Sequence, residues 1–148
     1  MRAALRHRPG LWWLPIRVIF GGFFLHVALS HRELDEKGAK GLRGFAASGY
    51  PFLKKVPPLT FKWGMVASES AVAASLLVPG VPAAVGGAAL TGFGTGLMGV
   101  YARTPMLRRS KLSARPSDLG LSMAKDSWMV AAGLAVLADA FSAGRRRD

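Results

Sequence analysis

Residues 65–78, "MVASESAVAASLLV", decide how the rest of the chain is read. The run is apolar or small from end to end, except for Glu69 at its centre. Upstream it extends to Thr60, so that 60–78 is long enough to cross a hydrocarbon core, which takes about 20 helical residues. Three other runs have that length: 11–29, 81–101 and 119–141. Backbone groups in lipid must be bonded internally, so such runs form helices. The expectation is an all-α fold, a four-transmembrane-helix antiparallel bundle. Residues 1–148 would form a single integral membrane domain, multi-pass in the cell membrane.

Composition points the same way. About half the chain is apolar, yet the net charge is +12, and the charges sit in blocks between the apolar runs. Such a basic chain suits nucleic acid or an anionic membrane surface. No zinc-finger spacing, RNP-like motif or soluble helix-turn-helix pattern supports nucleic acid, so the lipid bilayer is the expected partner. With no cysteine there is no disulfide, thiol nucleophile or thiolate-bound metal. Arg2, Arg6 and Arg8 precede the first run as in a signal peptide. That run is too long for a typical h-region and no A-x-A site follows, so retention as a membrane helix is expected.

Local punctuation supports these spans. Pro15 falls in the first turn of the first helix, where a missing N–H costs least. Pro57 and Pro58 close the first loop, and "PGVP" at 79–82 makes a tight turn between the second and third spans. "RPSD" at 115–118 offers Ser117 or Asp118 as an N-cap for the fourth. The segment 30–59 reads as a long loop whose first part extends the first helix into water. Its second part is either an interfacial re-entrant turn or an exposed loop. Trp12, Trp13, Trp63 and Tyr101 sit near span ends, as an aromatic belt would. Arginines flank both termini and further cations fill both loops. The positive-inside rule therefore leans only slightly towards cytoplasmic loops.

A charge at mid-membrane costs about 2.5–3.5 kcal/mol, so it faces the bundle and finds a partner. The expected intramembrane polar network is Arg17, Glu69, Lys125, Asp126 and Asp139. At about 1.5 Å per residue, Glu69 and Lys125 lie at similar depths from the loop side. Helical side chains lean towards the helix N-terminus, which turns Glu69 towards the level of Lys125 and Arg17 towards Asp139. Pairing of Glu69 with Lys125 is favoured, with Arg17 second. Two readings stay open: pairs that fix packing and register, or a proton or ligand site. His26 has no second intramembrane histidine to form a bis-histidine haem site and reads as a packing or interfacial residue. In the third span Ala84, Ala88, Gly92 and Gly96 recur every four residues. This ridge of small residues would pack against a neighbouring helix of the chain or in a homo-oligomer.

Several segments resemble the DoxX-like family of small four-helix membrane proteins. They are "IRVIFGGFFLHVAL" in the first span, "SGYPFLKKVPPLTFKWGMVASESAVAASLLVPGVPAA" through the second, and "AKDSWMVAAGLAVLAD" in the last. The resemblance implies an integral membrane protein near redox or thiol-sulfur metabolism. Some members are subunits of thiosulfate:quinone oxidoreductases or partners of oxidative-stress enzymes. It carries over no catalytic residue. With no cysteine and no haem-ligand pair, no metal and no cofactor other than a quinone is expected. The expected function is a non-catalytic subunit or scaffold of a membrane-associated redox or oxidative-stress assembly, with membrane or peripheral redox proteins as partners. The alternatives are a quinone-interacting oxidoreductase subunit and a small proton or solute transporter using Glu69 and Lys125.

Overall fold

The structure, a computed structural model, describes residues 13–110 and 112–144. Arg2, Arg6, Arg8, Trp12, Lys111 and Arg145–Arg147 lie outside the described residues. Among those described the fold is all-helical, with one isolated β-bridge between Arg108 and Pro116. The long helices are α1 (Leu14–Arg32), α3 (Pro58–Leu77), α4 (Ala83–Arg103) and α6 (Asp126–Gly144). Shorter ones are α2 (Glu36–Gly49) and α5 (Leu121–Ala124), with 3₁₀ turns at Pro51–Lys55 and Pro105–Leu107. Three stretches are long and apolar enough to cross a membrane: Leu14–Arg32, Ala83–Arg103 and Leu121–Ser142.

The helix ends follow the punctuation. Pro15 and Pro58 lie in the first turns of α1 and α3. Gly80 turns the chain between α3 and α4 with φ +90°, a conformation glycine adopts without strain. Ser117 Oγ accepts from Gly120 N at 3.1 Å in the turn ahead of α5, but the N-cap of α5 is Gly120, without a side-chain cap, and not Ser117 or Asp118.

α1 and α3 pack antiparallel, as do α4 and α6, and α3 joins the two pairs through α4. Glycines set how closely they approach. A Cβ on Gly21 would lie 2.6 Å from Leu77 Cγ, so this glycine admits the end of α3 against α1. A Cβ on Gly87 would lie 3.0 Å from the Gly133 carbonyl oxygen, which brings α4 and α6 nearly backbone to backbone. Phe24, Val72, Ala73, Leu76, Leu90 and Met129 form the buried core between the pairs. Phe24 meets Phe93 edge-on, with ring centroids 4.8 Å apart.

The segment 30–59 is not a loop. α1 continues to Arg32, and α2 follows after a short break. Asp35 Oδ1 caps α2 by accepting from Gly38 N at 2.7 Å. α2 lies against α3 and α4. Its C-terminal Gly49 sits so close to α4 that a Cβ there would lie 2.6 Å from Val100 Cα. The aromatic belt is also only partial. Trp63 is half exposed, but Trp13 and Tyr101 are buried, and Tyr101 donates to the Ala114 carbonyl at 2.9 Å.

Candidate functional site

The α1–α3 pair holds its charges in three places. At one end Arg17 reaches the carbonyls that end α3. Its Nε donates to Leu76 O, and its Nη2 donates to Val78 O at 3.0 Å and to Ser75 O and Val81 O at 3.4 Å. The guanidinium also lies 4.6 Å from the centroid of the Trp13 ring. At the other end Lys62 of α3 performs the reciprocal task. Its Nζ donates to Arg32 O at 3.3 Å and Leu34 O at 3.0 Å, where α1 ends. Each helix thus supplies a cation to the C-terminus of its antiparallel partner, where unpaired carbonyls and the helix dipole favour positive charge. Between them Glu69, only 1% exposed, meets His31, whose Nδ1 is 2.9 Å from both carboxylate oxygens.

This arrangement corrects the expected pairing. Glu69 is buried, but its partner is His31 and not Lys125 or Arg17. Lys125 is exposed where α5 gives way to α6, and α6 packs chiefly on α4, whereas Glu69 turns towards α1. Arg17 is taken by α3 carbonyls, so it does not reach Asp139 either. Asp126 and Asp139 are partly buried. Among the described residues the ion pairs are His31–Glu69 and the exposed Lys40–Glu36. The five expected residues therefore do not form one network. His26 lies exposed on the outer face of α1.

Arg17→Met removes several charge-assisted hydrogen bonds while keeping an apolar stem. It is expected to cost about 2 kcal/mol of bundle stability in a detergent unfolding titration. Arg17→Lys keeps the charge but offers a single donor nitrogen. It should retain only part of that stability, because the planar guanidinium contacts several carbonyls together.

The ridge of small residues on α4 also needs correction. Ala88, Gly92 and Gly96 face outward, Ala84 is half-buried, and a Cβ on Gly92 or Gly96 would meet nothing within 4 Å. The face of α4 that approaches α6 closely is instead Gly87, Thr91 and Gly94. Gly92 and Gly96 line an apolar groove of about 280 Å³ between α2, α3 and α4. Phe61 and Met65 of α3 form one wall, and Tyr50, Phe52 and Leu53 form another. Tyr50 carries the only side-chain oxygen or nitrogen in the lining, and its hydroxyl already donates to Gly96 O at 3.0 Å. Arg103 covers the Tyr50 ring at 4.8 Å.

Comparison with family models, with curated proteins and with solved structures returns no match to this chain. The functional reading therefore rests on its own residues. Those that sequence reasoning passed over are His31, Lys62 and Tyr50. For Lys62 a signal existed: it is a cation inside a membrane-like run, as Arg17 is.

Proposed function

We propose that the chain is a DoxX-like, four-crossing integral membrane protein that serves as a non-catalytic subunit or scaffold of a membrane-associated redox assembly. α3 would be the fourth crossing. α1 and α4 are each long and apolar enough to cross, and α3 lies antiparallel against both. The lower hydropathy of α3 comes from Lys62 and Glu69, and both are bonded inside the fold. The outer surface supports immersion in lipid: Val18, Ile19, Phe23 and Leu29 of α1 are all at least half exposed.

The observation that carries the scaffold reading is how the buried ionisable groups are used. Arg17 and Lys62 each join one helix to the end of another, and Glu69 joins α3 to His31 of α1. Such bonds fix register between helices. A transport role would need Glu69 open to water; its carboxylate is covered and meets the surface through His31, whose side chain is 23% exposed. A quinone would need polar groups at one end of its cleft to hold the ring carbonyls. The groove offers one hydroxyl, already committed to Gly96 O.

The test is alkaline carbonate extraction followed by mild-detergent purification and mass spectrometry. The chain should stay in the membrane pellet and co-purify with a stoichiometric redox protein. Release into the supernatant would contradict the membrane reading. Purification without a partner protein would contradict the subunit reading.

A further inference from the structure

We propose that the groove between α2, α3 and α4 is a binding site for one acyl chain of an anionic phospholipid, whose phosphate headgroup is held by Lys54, Lys55 and Arg103. The inference rests on the membrane reading above and adds a ligand to it.

Three observations place this lipid. The first is depth. The groove runs along α4 from Gly92 towards Val100, and Arg103 stands at the same end as Val100. From Gly92 to Arg103 is about 16 Å at 1.5 Å per residue. Half of a hydrocarbon core is roughly 15 Å. On the membrane reading the stretch from Gly92 to Arg103 matches one leaflet, with the Gly92 end of the groove near the bilayer midplane and Arg103 at the headgroup level. The second is the lining. It is apolar apart from a Tyr50 hydroxyl that is already bonded, so it suits methylene groups and gives a polar ring nothing new to hold. Gly92 and Gly96 leave room where side chains would fill it.

The third is charge. Between Lys37 and Ser117 the only carboxylate is Glu69, which is buried on His31. Lys54 and Lys55 are exposed and directly follow Phe52 and Leu53 of the groove wall. Arg43 Nη1 fixes that segment by donating to Lys54 O at 3.3 Å and Val56 O at 3.0 Å. Arg103 is exposed too, and it rests on the Tyr50 ring at the groove's end. Among the described residues none of these three cations is in an ion pair, so the groove ends in uncompensated positive charge. Each such cation near an anionic headgroup is worth about fivefold in affinity.

The full chain in mixed micelles of phosphatidylglycerol and phosphatidylcholine with identical acyl chains tests this by native mass spectrometry. The wild type should retain one phosphatidylglycerol in preference to phosphatidylcholine. Gly92→Leu fills the groove and should lower retention of either lipid by at least about tenfold, while remaining folded in lipid-free detergent. Replacing Lys54, Lys55 and Arg103 together with glutamine alters only exposed side chains. That variant should still retain lipid but lose the preference, by roughly fivefold per cation. An unchanged preference in the triple variant overturns the headgroup assignment. Wild-type retention in Gly92→Leu overturns the groove. A chain that resists carbonate extraction yet retains no phosphatidylglycerol refutes the lipid site while leaving the membrane reading intact. A chain released by carbonate refutes both.

Discussion

Glu69→Ala is expected to destabilise the bundle by about 2–4 kcal/mol, from the loss of a buried hydrogen-bonded carboxyl and the void it leaves. The carboxylate is 1% exposed, and both its oxygens lie 2.9 Å from His31 Nδ1. Alanine leaves the imidazole without its acceptor and opens a void inside the α1–α3 contact. The partner assignment is tested by a double-mutant cycle in a detergent unfolding titration. Glu69→Ala with His31→Ala should show coupling of about 1–3 kcal/mol, whereas Glu69→Ala with Lys125→Ala should be additive within about 0.5 kcal/mol. Coupling to Lys125 and none to His31 would overturn the pairing.

Gly133→Leu should have an effect of similar size for an unrelated reason. A Cβ at Gly133 would overlap Thr91 Oγ1 and would lie 2.7 Å from Thr91 N and 2.8 Å from Gly87 O. Two of those three atoms are backbone, so relief requires α4 and α6 to move apart. Overpacking typically costs about 1–3 kcal/mol, and here a whole helix pair must open, so the expected loss is about 3 kcal/mol. Gly92→Leu is the control. It sits on the same pair's other helix and has open space at Cβ, so it should cause no loss of stability beyond about 0.5 kcal/mol, leucine being the better helix former. Equal losses from the two substitutions would show that α4 and α6 do not meet along the Gly87–Thr91–Gly94 face.

The contrast between these glycines shows where sequence reading stopped. Hydropathy marked the long helices: the run at 11–29 corresponds to Leu14–Arg32, and that at 81–101 to Ala83–Arg103. Length and apolarity depend on each segment alone, so they can be read without the fold. The ridge of small residues could not be assigned to a partner that way. A four-residue repeat identifies a face of α4 but not what it meets, and the face that meets α6 includes Thr91. α2 was hidden by its glycines at positions 38, 41, 44 and 49, which lower helix propensity. They are useful in the fold, since Gly49 lets α2 end against the Val100 backbone. Its cap was nevertheless legible, because Asp35 stands just ahead of the helix.

The partner of Glu69 was missed for a related reason. Depth counted along each run assumes that the helices start level. They do not, because Lys62, early in α3, already meets the carbonyls of Arg32 and Leu34, where α1 ends. α1 also runs on to Arg32, past the end of the 11–29 run, so that its last turn supplies His31 to Glu69. The offset between neighbours is set by the connection between them. Here that connection is the folded unit of α2 and its 3₁₀ turn, which hydropathy does not describe.

On the proposed topology α1, α3, α4 and α6 cross the membrane, and α2, residues 104–110 and residues 112–120 lie on one side of it. Because the sequence contains no cysteine, single cysteines can be introduced as unique labels. Lys37→Cys on α2, Pro79→Cys in the α3–α4 turn and Leu112→Cys before α5 all sit at exposed positions. Sealed membrane vesicles treated with an impermeant thiol reagent should label positions 37 and 112 from one face only, and position 79 from the opposite face only. Labelling of all three from the same face would contradict the account.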